Sequence, residues 1–300
     1  MLRFGVDLGG TKIEAIALDG DAVRARRRVV SPRDDYGATV EALAEVVLDL
    51  EREVGQEARV GIGMPGAISP ATGQVKNANS AWLNGRPMLE DLRRRIPRPL
   101  RLENDANCFA LSEAVDGAAA GARMVFGIIL GTGTGGGVVI DRRVWTGRNA
   151  IAGEWGHNPL PRAVADELPG PPCYCGQTGC IETFLSGSGL ARDHARATGQ
   201  RAEPAEIALR AEQGDAAAQA TLARYEDRLA RALSSVLNVL DPDVVVLGGG
   251  LSNIRRLYEN VPRLLARYVF SDRVDTPVVP PVHGDSSGVR GAAWLWDSFE

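Results

Sequence analysis

Lysine is scarce in this chain, and it has neither a long apolar run nor an excess of positive charge. Lys12 and Lys76 are the only lysines in 300 residues, so arginine supplies nearly all the positive charge. The net charge of −4 argues against nucleic acid and anionic membranes as partners. No apolar run could cross a bilayer, and the first residues run directly into a strand pattern. We therefore expect no signal peptide and a cytoplasmic protein of about two domains.

Cysteine is also rare, but three of the four cysteines lie within eight residues. They form Cys173-x-Cys175-Gly-x-x-Gly-Cys180, with His157 upstream. Clustered thiols in a reducing compartment indicate metal ligands rather than disulfides. Three thiolates and one imidazole make a closed tetrahedral zinc site without an open position for water, so the predicted zinc is structural. The alternative is three buried thiols and a core histidine.

Two segments of the chain share one pattern. Residues 4–11 recur as residues 126–133, in each case as a strand that runs into a Gly/Thr turn and is followed by two more strands. Alternation and turn residues predict an antiparallel meander in each half. A helix and a glycine-terminated strand follow in each half, at residues 39–53 and 60–66 and at residues 229–240 and 244–250. The repeat predicts two related α/β domains with the glycine turns at a cleft between them.

The domain boundary is predicted near residues 116–121, which are rich in alanine and glycine. The N-terminal domain would comprise residues 1–117, and the C-terminal domain, residues 118–287, would carry the Cys/His insertion. Residues 288–300 predict a helix that packs back on the N-terminal domain.

The glycine turns are candidate phosphate sites. Glycines let backbone N–H groups approach an anion, while Thr11 offers a hydroxyl and Lys12 a charge. The spacing is not that of a P-loop, and the alternative is an ordinary hairpin turn. The second Gly/Thr turn favours a nucleotide clamp. The candidate nucleotide-binding residues are Asp7, Gly9, Gly10, Thr11, Lys12, Gly131, Thr132, Gly133, Thr134, Gly135, Gly248, Gly249 and Gly250.

Asn104 and Asp105 follow a strand pattern and precede a helical one. Asn and Asp are preferred helix N-caps, so capping is one interpretation. The other is that Asp105, ionised at a helix N-terminus, is the base that takes the proton of a sugar hydroxyl. Residues 77–84 hold several short amides around a tryptophan, which indicates either a polyol site or a solvated turn.

Together these motifs resemble the ROK family of bacterial sugar kinases and repressors, within the actin/hexokinase/Hsp70-like superfamily of RNase H-like folds. The resemblance spans the chain, and residues 31–36, 75–80, 104–108, 154–161 and 283–288 are most similar to the fructokinase (manno-fructokinase) branch. It implies ATP-dependent phosphorylation of the 6-hydroxyl of fructose, and also of mannose, with Asp105 as general base. N-acetylhexosamine or glucose is the alternative substrate.

The resemblance also implies the site residues, the cofactors and a homodimer. ATP would bind with Mg²⁺ near Asp7, and zinc would be structural. The implied sugar contacts are Asn79, Asn104, Asp105, Glu154, His157 and Glu182, and the implied zinc ligands are His157, Cys173, Cys175 and Cys180. Because Glu154 and Glu182 flank the zinc ligands, we expect zinc to order the sugar contacts and to leave ATP affinity unchanged.

Two rival functions are weaker. A sugar-responsive repressor of this family carries an N-terminal helix-turn-helix module, whereas here the first strand pattern begins by Phe4. A sugar sensor without turnover would not need Asp105 and both glycine turns. The sequence therefore favours an enzyme that binds ATP and a hexose, with neither nucleic acid nor membrane as a partner.

Overall fold

The chain divides into two compact units in a computed structural model that describes residues 1–296. The first unit comprises Met1–Arg123, Gly137–Gly153 and the described part of Val282–Glu300. The second comprises Met124–Gly136 and Glu154–Pro281. Among the described helices, none is both long and apolar enough to cross a membrane.

The strands follow the predicted repeat. Their bounds are β1 (Leu2–Leu8), β2 (Lys12–Asp19), β3 (Ala22–Val30), β4 (Arg59–Met64), β5 (Ala67–Ile68), β6 (Val75–Lys76), β7 (Leu100–Asn104), β8 (Met124–Leu130), β9 (Thr134–Ile140), β10 (Arg143–Val144), β11 (Val244–Gly248) and β12 (Val278–Val279). Within the described residues, one five-stranded sheet has the order β3-β2-β1-β4-β7 and another has the order β10-β9-β8-β11-β12.

In chain order, most helices fall between strands that pair in parallel. Their bounds are α1 (Tyr36–Val54), α2 (Met88–Arg95), α3 (Asp105–Val115), α4 (Ile181–Leu185), α5 (Gly187–Thr198), α6 (Pro204–Glu212), α7 (Ala216–Leu240), α8 (Arg256–Leu265) and α9 (Ser287–Trp294). Both helices of the predicted repeat are present, as α1 and α7, and both are longer than predicted.

Each sheet joins an antiparallel hairpin to parallel strands. In the first sheet, β1 pairs antiparallel with β2 and parallel with β4, and β4 pairs parallel with β7. In the second, β9 and β10 pair antiparallel, while β8 pairs parallel with β11. Parallel pairing brings the carboxyl ends of neighbouring strands to one edge, so β1, β4 and β7 end at the same edge. The predicted α/β fold of two related halves is confirmed.

Local sequence explains where α1 begins and ends. The Asp35 side chain accepts a hydrogen bond from Ala38 N (2.9 Å), which caps the first turn. Gly55 ends the helix in the left-handed conformation, at φ 68°. The buried face carries residues such as Val40, Leu43 and Val47, and it packs into the core of the first unit. The helix thus covers one face of the first sheet.

The other face of the first sheet is covered by α9, near the end of the chain. The approach is so close that a Cβ on Gly5 would lie 2.1 Å from the carbonyl oxygen of Val289, and one on Gly61 would lie 1.8 Å from that of Ala292. Glycine in β1 and β4 therefore admits the helix. The C-terminal helix was predicted over residues 288–300. In the structure it begins at Ser287 and ends at Trp294, and residues 297–300 lie outside the described part of the chain.

Candidate active site

In the first unit, the turn over residues 9–12, predicted to bind phosphate, joins β1 to β2. Gly9 N donates a hydrogen bond to Lys12 O (3.0 Å), so the turn is tight. A Cβ at Gly10 would have no described atom within 4 Å, so open space lies beside it. The Lys12 ammonium lies 3.6 Å from the Glu14 carboxylate. The turn thus exposes backbone beside a positive charge, as an anion site requires.

The carboxyl group of Asp7 lies beside two glycines, Gly63 and Gly288. A Cβ on Gly288 would lie 3.3 Å from the Asp7 carboxyl group, and one on Gly63 would lie 3.5 Å from its Oδ1 atom. Burial, followed by the charges of Asp105 and Glu14, raises the pKa of Asp7 to about 7. The structure therefore brings the carboxyl groups of Asp7 and Asp105 near each other. Paired carboxylates beside a phosphate turn are suitable ligands for Mg²⁺.

The helix cap and the candidate base are different residues. Asn104 is the N-cap of α3, and its Oδ1 accepts hydrogen bonds from Ala106 N (2.9 Å) and Asn107 N (3.3 Å). Asp105 is the first helical residue, and its Oδ1 also accepts from Ala106 N (2.8 Å). A carboxylate at this position is favoured in its ionised form by the helix dipole. Because Asn104 supplies the cap, Asp105 can act as a proton acceptor without being needed to start the helix.

Asn79 is exposed in the loop that follows β6. Its neighbour Ala78 is clamped by Asn84, whose Oδ1 accepts from Ala78 N and whose Nδ2 donates to Ala78 O, both at 2.9 Å. Gly66 packs against the same segment, so closely that a Cβ on it would lie 2.7 Å from Ala78 N. The carbonyl oxygen of Gly66 accepts a hydrogen bond from Asn104 Nδ2 at 3.1 Å. The amide-rich segment is therefore partly structural, and Gly66 links it to Asn104.

In the second unit, the turn over residues 131–135 is tight as well. Gly131 N donates to Gly133 O (3.0 Å). Thr134 N donates to Glu182 Oε2 (3.0 Å), and a Cβ on Gly133 would lie 2.6 Å from that oxygen. The buried hydroxyl of Thr134 has no hydrogen-bond partner among the described residues. Glu182, predicted as a sugar contact, thus also contacts the turn predicted to bind phosphates.

A cavity of about 940 Å³ joins two of the predicted nucleotide-binding segments of the second unit. Gly249 has a φ of 77°, and a Cβ there would lie 2.5 Å from Leu130 O, so only glycine suits this exit from β11. Apolar residues of α6 form another wall. The lining includes Gly131, Thr132, Gly187, Ser188, Pro204, Ala208, Leu209, Gly250, Leu251 and Ile254. An apolar wall opposite a glycine turn suits a nucleoside carrying phosphates.

The four predicted zinc ligands converge. One ligand atom from each of His157, Cys173, Cys175 and Cys180 lies within 4.8 Å of the others. The sulfur atoms of Cys175 and Cys180 are 3.7 Å apart, and Cys173 Sγ is 3.6 Å from His157 Nδ1. Zn–S bonds of about 2.3 Å and Zn–N bonds of about 2.0 Å in a tetrahedron give separations of roughly 3.8 and 3.5 Å. The donor set therefore fits structural zinc, with Nδ1 directed at the metal position.

The outer nitrogen of His157 contacts a residue that the motifs did not single out. His157 Nε2 is 3.0 Å from the Tyr174 hydroxyl, and the two rings meet edge to face at 5.1 Å. Burial and the carboxylates of Glu182 and Glu154 raise the pKa of Tyr174 above its usual range. Glu154, His157 and Glu182 therefore share one neighbourhood, with Tyr174 among them. An aromatic residue between two of the clustered cysteines is the sequence signal that could have identified it.

Sequence reasoning also missed two buried groups beside the site. Glu103 precedes the cap, and its Oε1 accepts from Asn104 N and Asn107 Nδ2, both at 2.9 Å, while burial raises its pKa. In the second unit, the Trp155 indole Nε1 donates to Gly135 O at 3.1 Å. Strand and loop patterns carry no signal for the Trp155 bond, because it joins a side chain to a backbone 20 residues away whose position depends on the fold.

The fold and the site define the class of the protein. Duplicated α/β units, paired glycine turns and a carboxylate at a helix N-terminus form the two-domain architecture of a sugar kinase. Residues 3–298 match the model of the ROK family. The chain belongs to the ROK family, and its fold and sequence make it a sugar kinase of that family.

Three similar proteins illustrate the relationship. An N-acetyl-D-glucosamine kinase of Escherichia coli O6:H1 is 42% identical over 303 residues, covering 98% of this chain and 99% of the relative. The ROK hexokinase of Thermus thermophilus has a TM-score of 0.86 at 34% identity, covering 98% and 97% of the two chains. A ROK family glucokinase of Streptomyces griseus, solved with glucose and AMPPNP, has a TM-score of 0.80 at 28% identity, covering 98% and 99%. The predicted fructokinase branch is not supported.

Proposed function

We propose that the protein is an ATP-dependent kinase that phosphorylates the 6-hydroxyl of N-acetyl-D-glucosamine. The observation that carries kinase chemistry is the first residue of α3: the Asp105 carboxylate begins a helix whose cap is supplied by Asn104. The choice of sugar is supported by the relative named an N-acetyl-D-glucosamine kinase, at 42% identity over nearly the whole chain. Fructose, the sugar first expected, becomes one arm of the test.

In this proposal Asp105 orients the sugar 6-hydroxyl and takes its proton as the oxygen bonds to the γ-phosphorus. The bond between that phosphorus and the bridging oxygen breaks, and ADP leaves. Phosphoryl transfer depends mainly on positioning and on neutralising charge, so a weak base suffices. Asp7 would hold Mg²⁺, which neutralises phosphate charge when bound. Gly9, Gly10, Thr11 and Lys12 would donate to phosphate oxygens.

The sugar and the nucleoside would be bound by different sets of residues. Glu154, Glu182 and His157 would accept or donate hydrogen bonds at sugar hydroxyls, together with Asn79 and Asn104. Carboxylates and amides are suited to this because hydroxyls both donate and accept. In the second unit, the cavity of about 940 Å³ would hold the nucleoside, with its phosphates toward the glycine turn. Gly248, Gly249 and Gly250 leave the backbone accessible to it.

The sugar assignment is tested by measuring ADP release with one enzyme preparation and a panel of sugars. The panel is N-acetyl-D-glucosamine, N-acetyl-D-mannosamine, glucose, mannose and fructose. We expect the highest kcat/KM for N-acetyl-D-glucosamine, with the phosphate found on O6 by NMR. A higher kcat/KM for fructose would refute the hexosamine assignment and leave the kinase intact. Failure to release ADP with every sugar would refute the kinase itself.

We further propose that His157, Cys173, Cys175 and Cys180 bind one structural zinc ion. Their separations match a tetrahedral set. Mass spectrometry of the metal content should find about one zinc per chain. A metal-free preparation with an unchanged melting temperature would refute this site. The homodimer and the cytoplasmic location stay predictions.

A further inference from the structure

The turn over residues 131–135, here called the phosphate turn, is braced by the segment that carries the metal ligands. That segment, residues 154–182, is here called the metal loop. Thr134 N donates to Glu182 Oε2 at 3.0 Å, and Trp155 Nε1 donates to Gly135 O at 3.1 Å. Gly156 lies so close that a Cβ there would be 2.1 Å from Thr134 O. Both ends of the metal loop therefore contact the turn.

Glu182 also lies close to the metal cluster. Its Oε1 lies 4.0 Å from Cys173 Sγ, while its Oε2 accepts the bond from Thr134 N. The preceding residue, Ile181, donates its N–H to Asn158 O at 2.8 Å, next to His157. One carboxylate thus spans the distance between a metal ligand and the backbone of the phosphate turn. Displacement of the cluster would move the acceptor on which the Thr134 amide depends.

We propose that Glu182 is a positioning residue that fixes the phosphate turn to the metal loop, so that nucleotide affinity depends on an intact metal cluster. The proposal rests on the proposed function for one point, that nucleotide phosphates bind at this turn. It differs from the expectation that zinc affects the sugar alone. That expectation placed the phosphate turns away from the metal loop.

The physical reason lies in the Thr134 amide. A hydrogen bond from a backbone N–H to a carboxylate is charge-assisted and stronger than a neutral one. Thr134 is buried, so removal of the acceptor would leave its N–H unpaired or force the turn to rearrange. Gly133 permits the contact because a side chain there would meet Glu182 Oε2. The geometry of the neighbouring N–H groups therefore depends on Glu182.

The first experiment compares two substitutions at Glu182. Calorimetry measures the affinity for Mg·AMPPNP without sugar and, separately, the affinity for N-acetyl-D-glucosamine without nucleotide. Glu182→Ala removes the acceptor and should weaken Mg·AMPPNP binding about tenfold. Glu182→Gln keeps an oxygen that can accept from Thr134 N, so nucleotide affinity should recover to within about threefold of wild type. Both variants should bind the sugar less well.

The second experiment removes the metal with a chelator. In the wild-type protein, metal removal should weaken Mg·AMPPNP about tenfold, and hydrogen exchange of the peptide containing Thr134 should accelerate. In Glu182→Ala the connection through Glu182 is already broken and only the Trp155 end of the metal loop still contacts the turn, so metal removal should weaken nucleotide binding by no more than about threefold. This pattern separates transmission through Glu182 from general loosening of the second unit.

A matched pair of tryptophan variants serves if Glu182→Ala does not fold. Trp155→Phe removes the indole donor to Gly135 O and keeps an aromatic ring against Phe126, which it contacts edge to face at 5.7 Å. Trp145→Phe makes the same change at a position that is 58% exposed. The first should weaken Mg·AMPPNP binding about threefold to tenfold, and the second should leave it unchanged.

The outcomes are distinguishable. Wild-type nucleotide affinity in a folded Glu182→Ala protein, with sugar binding lost, would make Glu182 a sugar ligand only and overturn the proposal. Equal weakening by metal removal in wild type and Glu182→Ala would overturn it as well. If the wild-type protein binds sugar but not Mg·AMPPNP, the proposed nucleotide function fails instead. Nucleotide weakening in Glu182→Ala, rescued by Glu182→Gln, would support the proposal.

Discussion

The two glycine turns have similar sequences and positions in their sheets but different surroundings. The turn between β1 and β2 is closed by its own bond from Gly9 N to Lys12 O, and Gly10 has open space beside it. The turn between β8 and β9 has its own bond from Gly131 N to Gly133 O and is also held from outside by Glu182 and Trp155. A repeated strand-turn-strand unit therefore supplies backbone for an anion twice, and only the second copy is braced by an insertion.

The difference shows how one architecture can divide its tasks. The first half leaves open space beside Gly10 in its turn and places carboxylates nearby, at Asp7 and Asp105. The second half uses the long segment between β10 and α4 to place the four proposed metal ligands together near its turn. On this view the first half carries the proton chemistry, and the second half carries the rigid support. Each prediction below alters one half and leaves the other unchanged.

The largest expected effect belongs to the first half. Asp105→Asn removes the proton acceptor, and the rate of phosphoryl transfer should fall by about 10²–10⁴-fold, the range for general-base catalysis. The fold should be unaffected, because Asn104 caps α3 and asparagine is accepted at a helix start. Steady-state ADP release with the best sugar measures the loss.

Asp215→Asn is the matched control for that variant. Asp215 caps α7 through bonds to Ala217 N (2.8 Å) and Ala218 N (3.0 Å), and the same change there should leave the rate within about twofold. A rate near that of wild type in Asp105→Asn would show that Asp105 contributes only to the helix start. A lower melting temperature in Asp105→Asn than in Asp215→Asn would also count against the proposed role.

Much of this comparison could be predicted from the sequence, and one part could not. The repeated sheets follow from alternation and glycine turns, which are local signals. The convergence of the four proposed metal ligands could be predicted because cysteine is rare and clustered. The bond from Thr134 N to Glu182 spans 48 residues and depends on where α4 packs, so no local pattern reveals it. For the same reason the role of Asn84 as a clamp on Ala78 was hidden among similar amides.

A large effect on stability is expected in the second half, at Glu167 within the metal loop. Glu167 is buried and accepts bonds from Arg228 Nε (2.7 Å) and Arg231 Nη2 (2.8 Å) on α7. Glu167→Gln removes the carboxylate that both guanidinium groups share and leaves them only Asp193 and Asp227, so it should lower the free energy of unfolding by about 3 kcal/mol. Denaturant unfolding at pH 7 measures this loss. Asp166→Asn, at the exposed neighbouring carboxylate, should change little.

The stability that Glu167 contributes through Arg228 and Arg231 should depend on pH. Burial would raise the pKa of Glu167, but hydrogen bonds from Arg231 and Arg228 outweigh it and lower the pKa to about 2 from 4.5. A lowered pKa contributes stability above the unfolded value, and this stability is lost as the pH falls from 4.5 toward 2. The gap between wild type and Glu167→Gln should therefore narrow over that range. A constant gap would contradict the ion-pair explanation.

The two turns can be compared directly with one substitution in each. Gly133→Ala puts a Cβ 2.6 Å from Glu182 Oε2, so the carboxylate must move, and Mg·AMPPNP should bind about tenfold less well. Gly10→Ala meets no described atom within 4 Å, so its melting temperature should equal that of wild type. Its nucleotide affinity should fall about threefold if phosphate approaches the backbone there. A lowered melting temperature in Gly10→Ala and not in Gly133→Ala would reverse the comparison.

The smallest expected effect concerns stability in the first half, at Asp7. Burial, with Asp105 and Glu14 nearby, raises the pKa of Asp7 to about 7 from 3.8, so folding disfavours its ionised form. Between these two values the cost of ionisation grows with pH, and above pH 7 it is complete. Asp7→Asn removes the charge. Without nucleotide or Mg²⁺, it should melt about 3–6 °C above wild type at pH 8, with the difference vanishing near pH 4.

This gain in stability should accompany a loss of function, since Asp7 is the proposed Mg²⁺ ligand. Calorimetric melting at pH 4, 6 and 8 measures the gain in stability, and ADP release at pH 8 measures the loss of activity. Asp272→Asn, at an exposed position in the second unit, is the control and should melt like wild type at each pH. A difference that grows toward acid would show that Asp7 is stabilised as a carboxylate by its surroundings. Asp7 would then be held in its ionised form by Lys12, and no bound cation would be needed to keep it ionised.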